Sequence, residues 1–533
     1  MSKKIIISNI KKPFDADDRE FIAEAKLRVK RAGLDSRDFD FRIYKKAIDA
    51  RHRDNIMGVC SVSAQTTSNI SFSSDRLKKY SISEAADDDI DFVCGKEKLP
   101  ARPVVVGFGP AGIFCALLLA ENGYAPIVIE RGASVEDRVR LVDEFYRNKV
   151  LDANTNIQFG AGGAGTFSDG KLVTRISDKK CSYVIKRLHE FGAPDEIMYR
   201  AKPHIGTDNL RVVVQNAANR IKECGGEIRY NTRLDDIKGY TAKTSDGEIN
   251  CGVIVLALGH SARDTYKMLM ERDFNLEAKP FSVGVRIEHL QSDIDKALFG
   301  KYAGHSALGK GEYSLSDTTG ERGVYTFCMC PGGEVVAAAS EQGGVVVNGM
   351  SRYARDGKNA NSAVAVSINK EDYGSSVEGA IEFQRRLERA AFEAAGADYS
   401  VPVQTFGDFI DGKALTEPHR IMPTYMGGGN FKIVDLGSLL PRFVTSSLKR
   451  GITGFERKIE GFSARDAVLS GFETRTSAPL RILRDENMCA IGRTNVYPCG
   501  EGAGYAGGIT SAAVDGIRVA LAIMSKYAPM NDI

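Results

Sequence analysis

Hydrophobic and polar positions change period several times along this chain of 533 residues. Residues 5–10 are dense in isoleucine and predict a strand. Residues 15–31 put Phe21, Ile22, Ala25 and Val29 on one side and charges on the other, the repeat of an amphipathic helix. Residues 39–48 and 56–65 predict two further strands. Residues 1–95 therefore read as a small α+β module, βαββ in order. Its basic run, 45–53, reads as a solvated face, and 84–102, with its charges and Pro100, as a linker.

The pattern then tightens. Val104, Val105 and Val106 form a short apolar run suited to a buried parallel strand. Gly107, Gly109 and Gly112 follow with the spacing G-x-G-x-x-G. Residues 113–122 predict a helix that Gly123 stops, and 127–129 a second strand ending in Glu130. Strand, turn, helix, strand and acid fit within the roughly 30 residues of a βαβ dinucleotide site. In such a site Gly107 permits the tight turn, Gly109 lets a pyrophosphate approach the backbone, and Gly112 lets the helix pack on the sheet. Pro110 and Ala111 lie where the free N–H groups of the first helical turn face the phosphates. Glu130 is placed to accept from both ribose hydroxyls, which disfavours a 2′-phosphate. The same spacing recurs at Gly160, Gly162 and Gly165, with no helix signal after it, and at Gly502, Gly504 and Gly507, where no second strand and acid follow.

Further along, 134–149 predict an amphipathic helix that brings Arg138 within reach of the nucleotide. The stretch 156–172 is too rich in glycine for a helix or strand. It predicts a loop that wraps a cofactor with backbone N–H groups and with Thr166, Ser168, Asp169 and Lys171. A helix at 212–224 and strands at 227–230 and 249–258 resume the nucleotide fold, the last running into Gly259. From about 265 to 483 longer β segments (281–288, 335–339) alternate with helices at 376–395 and 455–461. The last stretch is strand, glycine turn and helix. The expected organisation is a module at 1–95, a dinucleotide-binding domain at 96–265 and 485–533, and an inserted substrate or cap domain at 266–484.

Composition adds limits. The chain is 43% apolar and 26% charged with net charge +3, ordinary for a soluble globular protein and no basis for a polyanion partner. No apolar run approaches a membrane span or a signal-peptide core. Ten scattered cysteines fit reduced thiols, so a cytoplasmic location is expected. None of the seven histidines has metal-site spacing, and no metal is expected.

These residues carry a resemblance. The run from Val104 to Glu130, with Gly112, Ala116, Leu119, Ala120 and Gly123 in register, resembles the FAD site of glutathione-reductase-type flavoproteins, and 497–516 resembles their C-terminal flavin motif. More narrowly, GGAGTFSDGKL (162–172), KPHIGTDNL (202–210), VGVRIEH (283–289), YTFCMCPGGEVV (325–336), NGMS (348–351), GEGAGYAGGI (500–509) and KKAIDAR (45–51) resemble a family of bacterial uncharacterised FAD-dependent dehydrogenases. The resemblance implies an α/β, Rossmann-like FAD-binding domain with an inserted β-rich α+β domain, and non-covalent FAD. It implies Glu130 on the adenosine ribose beside Arg131, the backbone of Leu234 on the adenine edge, and Glu501 on the ribityl or pyrophosphate side next to Gly500. It further implies Gly162, Gly163, Ala164 and Gly165 in the wrapping loop, Gly259 near the flavin, and Gly507, Gly508 and Ile509 at the flavin N1/O2 edge.

Candidate chemistry stays open. Cys328 and Cys330 form C-x-C, a redox pair beside a flavin or two thiols of a strand. His260, His289 and His204 are proton-donor or structural histidines, and Arg263, Arg286 and Arg475 are carboxylate clamps or structural cations. The expected function is hydride transfer between an unidentified small molecule and flavin N5. Only one dinucleotide fingerprint is complete, so NAD(P)H, if it is the reductant, binds transiently at the flavin face. The alternatives are a flavoprotein acting on RNA and a non-catalytic flavin sensor.

Overall fold

The computed structural model describes residues 3–67, 74–85, 90, 92–414 and 416–530. The first module contains β1 (Lys3–Pro13), α1 (Asp18–Arg31), β2 (Asp40–Asp49), β3 (Met57–Thr66), α2 (Ser74–Lys79) and β4 (Ile82–Glu84), in one sheet of order β2-β3-β1-β4. Asp17 and Glu20 start α1 with a capping box. Phe21, Ala25 and Val29 of α1 then pack in one core with Ile5, Ile7, Val62 and Ala64 of the sheet. The module docks through Lys46, whose N–H donates to Tyr199 O at 2.7 Å and whose carbonyl accepts from Ala201 N at 2.9 Å.

Next come β5 (Val104–Val106), α3 (Pro110–Glu121), β6 (Ile127–Ile129), α4 (Val135–Asn148), α5 (Lys180–Glu190), α6 (Thr207–Glu223), β7 (Glu227–Arg229), β8 (Leu234–Lys238), β9 (Thr241–Thr244), β10 (Gly247–Asn250), β11 (Ile254–Leu256) and α7 (Arg263–Glu271). They are followed by β12 (Leu276–Ala278), β13 (Phe281–Leu290), α8 (Gln291–Phe299), β14 (Ser316–Asp317), β15 (Val324–Cys330), β16 (Glu334–Ala337), β17 (Val347–Met350), β18 (Asn359–Ile368), α9 (Val377–Ala394), β19 (Val401–Thr405), α10 (Phe406–Asp411), β20 (Phe431–Ile433), α11 (Leu436–Leu439), α12 (Arg442–Phe455), β21 (Val468–Glu473), β22 (Leu480–Ile482), β23 (Val496–Pro498) and α13 (Ile509–Lys526).

Two large sheets result. The order β23-β11-β5-β6-β7 is parallel throughout, so the chain's last strand lies beside β11. Strands β5, β6 and β11 are buried at every residue, as a parallel sheet covered on both faces requires. Helices α3 and α13 pack so closely that a Cβ on Gly516 would lie 2.2 Å from Ala111 O. The second sheet has order β14-β15-β18-β13-β21-β19-β20 and is antiparallel except for β19 with β20. The pair β12 and β22 marks where the chain leaves the first sheet's domain and returns. Among the described residues no helix is long and apolar enough to cross a membrane.

Three expectations change. The apolar run 249–258 is two strands, β10 in the antiparallel ribbon and β11 in the parallel sheet, because 251–253 carry the chain from one to the other. The helix expected at 455–461 lies earlier, as α12. It ends at Phe455 because the Glu456 carboxylate accepts from Gly461 N and Ser463 N and closes turns there. Part of the expected linker, 86–89 and 91, lies outside the described residues. Its later portion is pinned: Gly95 N donates to Met524 O and Glu97 N to Lys526 O.

Candidate functional site

Between the parallel sheet and the antiparallel sheet runs a cleft of about 1560 Å³, its open mouth included. One end is formed by the turn after β5, the tip of β6 and the start of β8; the other by the ends of β15, β17 and β21. The sequence candidates Gly107, Gly109, Pro110, Ala111, Glu130, Arg131, Gly163, Ala164, Gly165, Ser168, Asp169, Lys171, Leu234, Gly259, Glu501, Gly508 and Ile509 all border it. His260, Cys328, Cys330 and Arg475 border it as well.

The helix end is built for an anion. Gly107 turns out of β5 at φ 101° with its N–H on Ile129 O, and a Cβ on Gly112 would lie 1.9 Å from Gly107 O. Gly109 caps α3 without any side-chain hydrogen bond, so the first-turn N–H groups are left for an outside acceptor. The Glu130 carboxylate is more committed than the sequence suggested. It accepts from the N–H groups of Phe108 (2.8 Å), Gly132 (3.0 Å) and Gly160 (2.9 Å). A carboxylate offers about four lone-pair sites, so room remains for roughly one ribose hydroxyl, not two. Arg131 turns to Asp264.

Several candidates do not face the cleft. Arg138 is fully buried, and its guanidinium donates to the carbonyl oxygens of Asn156, Ile157, Gly160, Ala161 and Gly163. Burial lowers it to about 9, so it stays charged at neutral pH. Its work is to shape the glycine loop, not to touch a nucleotide. Gly162 and Thr166 belong to that loop's interior, where Thr166 Oγ1 donates to Ala161 O. The short 3-10 turn Gly163–Phe167 follows the second glycine pattern, where no helix was expected. Gly500 packs on Ala111 and donates its N–H to Asp515. The N–H of Gly507 goes to Ser511 Oγ at 3.2 Å and not toward the cleft. Gly508 caps α13 with no side-chain hydrogen bond, so a second helix start also opens onto the cleft. Burial raises Glu501 to about 7, against the pull of Lys279 and of a hydrogen bond from the Gly508 backbone.

At the sheet end, Arg286 is fully buried beneath the cleft and does not border it. It donates to Asn361 Oδ1 (2.7 Å), Glu473 Oε2 (2.7 Å), Asn348 Oδ1 (3.4 Å) and the carbonyl of Cys328. It is no free carboxylate clamp. Nor is Arg263, which is buried against Glu388, Glu341 and Gln384, or Arg475, which makes two bonds to Glu388 and one to Ser340. Opposed by desolvation, these two arginines still hold the Glu388 carboxyl far below the usual carboxylate range. His289 donates from Nε2 to Phe462 O and packs on the Phe462 ring, away from the cleft. His204 stacks on Tyr353. His260 does border the cleft, but burial and then the charges of Arg475 and Arg263 lower it to about 3, so it is neutral and a poor proton donor.

A bulge in β15 between Phe327 and Cys330 turns Cys328 out to the cleft solvent at φ 44°, while Cys330 is buried with its Sγ on Cys328 O at 3.3 Å. The surrounding protein, and then Glu473, push the Cys328 thiol well up; burial raises Cys330 too. Both are unactivated thiols rather than poised thiolates. Lys171 and Arg355 grip Asp169, and together they overcome its burial and hold it at about 2.

Sequence reasoning missed Glu473, Asn348, Gly349, Gln158 and Thr232, all bordering the cleft. Asn348 and Gly349 stood inside a quoted motif; Glu473, alone at the end of a buried strand, had no local signal.

This pairing of a parallel nucleotide-type sheet with an antiparallel β-rich domain is the architecture of a mixed α/β protein with a ligand cleft between its layers. Residues 280–476 match the family described as FAD-dependent protein, C-terminal domain-like. An uncharacterized protein of Clostridium beijerinckii is 44% identical over 541 residues, covering 98% of this chain and 99% of its own length, and the chain belongs to the same family. Among solved structures, NikD, an unusual amino acid oxidase essential for nikkomycin biosynthesis, matches with TM-score 0.31 and 11% identity, over 79% of this chain and 93% of that one. Glycine oxidase from Geobacillus kaustophilus gives 0.29 and 10%, over 79% and 92%. L-Amino acid deaminase from Proteus vulgaris gives 0.32 and 13%, over 83% and 97%. Likeness at these scores assigns no activity.

Proposed function

We propose that the protein is an FAD-dependent oxidoreductase that moves hydride between a small organic substrate and flavin N5, with the domain of its parallel sheet holding FAD in the glutathione-reductase manner. The observation that carries this reading is that two helices, α3 and α13, start at glycines with no side-chain cap and open onto one cleft. The space fits the cofactor: a Cβ on Gly109 would meet nothing closer than Gly163 Cα at 3.8 Å, and Cβ atoms on Gly259 and Gly508 would meet nothing within 4 Å. The N–H groups at the start of α3 take the pyrophosphate, Glu130 one ribose hydroxyl, the backbone of Leu234 the adenine edge, and Glu501 the ribityl side. Bound flavin supplies the two-electron chemistry. The start of α13 favours negative charge beside it by about 0.3–2 kcal/mol. The sheet end, with Glu473, Asn348 and Cys328, receives the substrate.

Reconstitution tests this. The purified protein should take up one FAD per chain, read from its visible absorption, and Gly109→Val should stay folded and colourless. A wild-type protein that takes up no FAD when offered it would end the proposal. Anaerobic mixing with NADH and NADPH then shows whether either reduces the bound flavin.

A further inference from the structure

The charged groups at the sheet end of the cleft are already paired, and one of them keeps an oxygen open. Arg475 is bound to Glu388 and Ser340, Lys171 to Asp169, and Asp169 to Arg355 as well. Each cation bordering that end already faces a carboxylate, so a substrate carboxylate would compete with an existing partner. Glu473 is different. Its Oε2 accepts from Arg286 at 2.7 Å, whereas Oε1 accepts from no described residue. Beside it, Asn348 Oδ1 accepts from its neighbour Gly349 N (2.8 Å) and from Arg286 (3.4 Å). That orients the Asn348 amide, whose Nδ2 is then the donor left for the cleft. Gly349 makes the arrangement possible, since a Cβ there would lie 2.1 Å from Arg286 Nη2. An open acceptor and an open donor, side by side and held by one buried guanidinium, suit a group that both donates and accepts: a hydroxyl or an uncharged amine.

We propose that Glu473 is the catalytic residue that exchanges the substrate's proton, that Arg286 is its positioning residue, and that the substrate is oxidised at a carbon bearing a hydroxyl or an amine. This rests on the oxidoreductase reading above. In the oxidation the O–H or N–H bond breaks and its proton passes to Glu473 Oε1. The electron pair left behind forms the C=O or C=N bond. The C–H bond breaks with both electrons, and hydride goes to oxidised FAD, the two-electron acceptor. Burial raises the Glu473 carboxyl, with Arg286 of β13 opposing it. The other titratable groups acting on it are Tyr325 and Cys328 of β15, and Asp169, Lys171, Cys330 and Arg475 border the same cleft.

The test uses FAD-loaded protein. The absorption spectrum of the bound flavin is titrated with pH in wild type, Glu473→Gln and Glu473→Asp. Wild type should show a step that disappears in E473Q and moves in E473D. Anaerobic reduction is then followed with a panel of simple alcohols, amines and carboxylates. An alcohol or amine should reduce wild type, and E473Q should slow this by at least about a hundredfold and lose the pH limb of the rate. A step that survives in E473Q, or a wild-type spectrum without one, overturns the assignment. If E473Q does not fold, E473D decides: an unshifted step with a wild-type reduction rate overturns it. Reduction by carboxylates alone, or by no alcohol or amine, overturns the substrate class. Protein that binds no FAD instead overturns the preceding reading.

Discussion

The stretches 107–112 and 160–165 have the same glycine spacing and meet at the same cleft, yet their glycines do different work. In the first, Gly109 leaves open space before an uncapped helix, so its missing side chain is room for a ligand. In the second, Gly160 sits at φ 120° and a Cβ there would lie 2.4 Å from Arg138 Cδ, so its missing side chain is room for the protein itself. The buried guanidinium then gathers five carbonyl oxygens and sets the loop's path. One stretch keeps room open at Gly109, and the other is filled from inside by an arginine. A glycine pattern alone does not say which.

The difference can be broken or sharpened by substitution. The largest effect is expected from Arg138→Met, which leaves those five carbonyls buried without their donor. Thermal or denaturant unfolding should show a loss of about 3–5 kcal/mol, with FAD retention failing alongside. Gly160→Ala combines an unfavourable φ with the overlap on Arg138, and should cost about 2–3 kcal/mol in the same assay. Gly109→Val should reverse the pattern, with near wild-type unfolding and no retained FAD. If G160A loses FAD at unchanged stability, the division between the stretches is wrong.

Asp169, just beyond the second stretch, gives a pH test. Its folded carboxyl is held at about 2 against an ordinary 3.8, burial opposing Lys171 and Arg355. A depressed carboxyl stabilises the fold above its unfolded value and stops doing so as pH falls through the folded one. The contribution, about 2 kcal/mol, should be complete above pH ~4 and vanish between there and about 2. Asp169→Asn should flatten that part of the stability–pH curve. The smallest effect is expected at Gly507, whose N–H is taken by Ser511 and whose Cβ position has no neighbour within 4 Å. Gly507→Ala should change stability by no more than about 0.5 kcal/mol and leave FAD uptake intact.

The helix end of the cleft was readable because it is contiguous. Strand, turn, helix and acid from Val104 to Glu130 are neighbours in sequence, and each residue type answers to its immediate surroundings. The opening βαββ of the first module was readable for the same reason, from the switch between helix and strand periods, whereas the short α2 and β4 that extend it to βαββαβ were not expected. The apolar run 249–258 misled because 251–258 are buried throughout, so no polar position marks where the chain leaves the mostly exposed β10 for β11. Arg286 stayed open between clamp and structural cation because an arginine in a strand looks the same in sequence whether its head meets solvent or lies under a sheet; the structure makes it structural.

By itself the amino-acid order determined where the phosphate-type turn lies, which helix follows it, and that a second glycine turn and helix close the chain. Only tertiary structure decided which polar groups remain uncommitted. Arg286 and Glu473 meet across 187 residues, and Arg355 reaches Asp169 across 186. Whether a charge is spent inside the protein or offered to a ligand depends on partners that strand pairing brings together, and no local pattern encodes them.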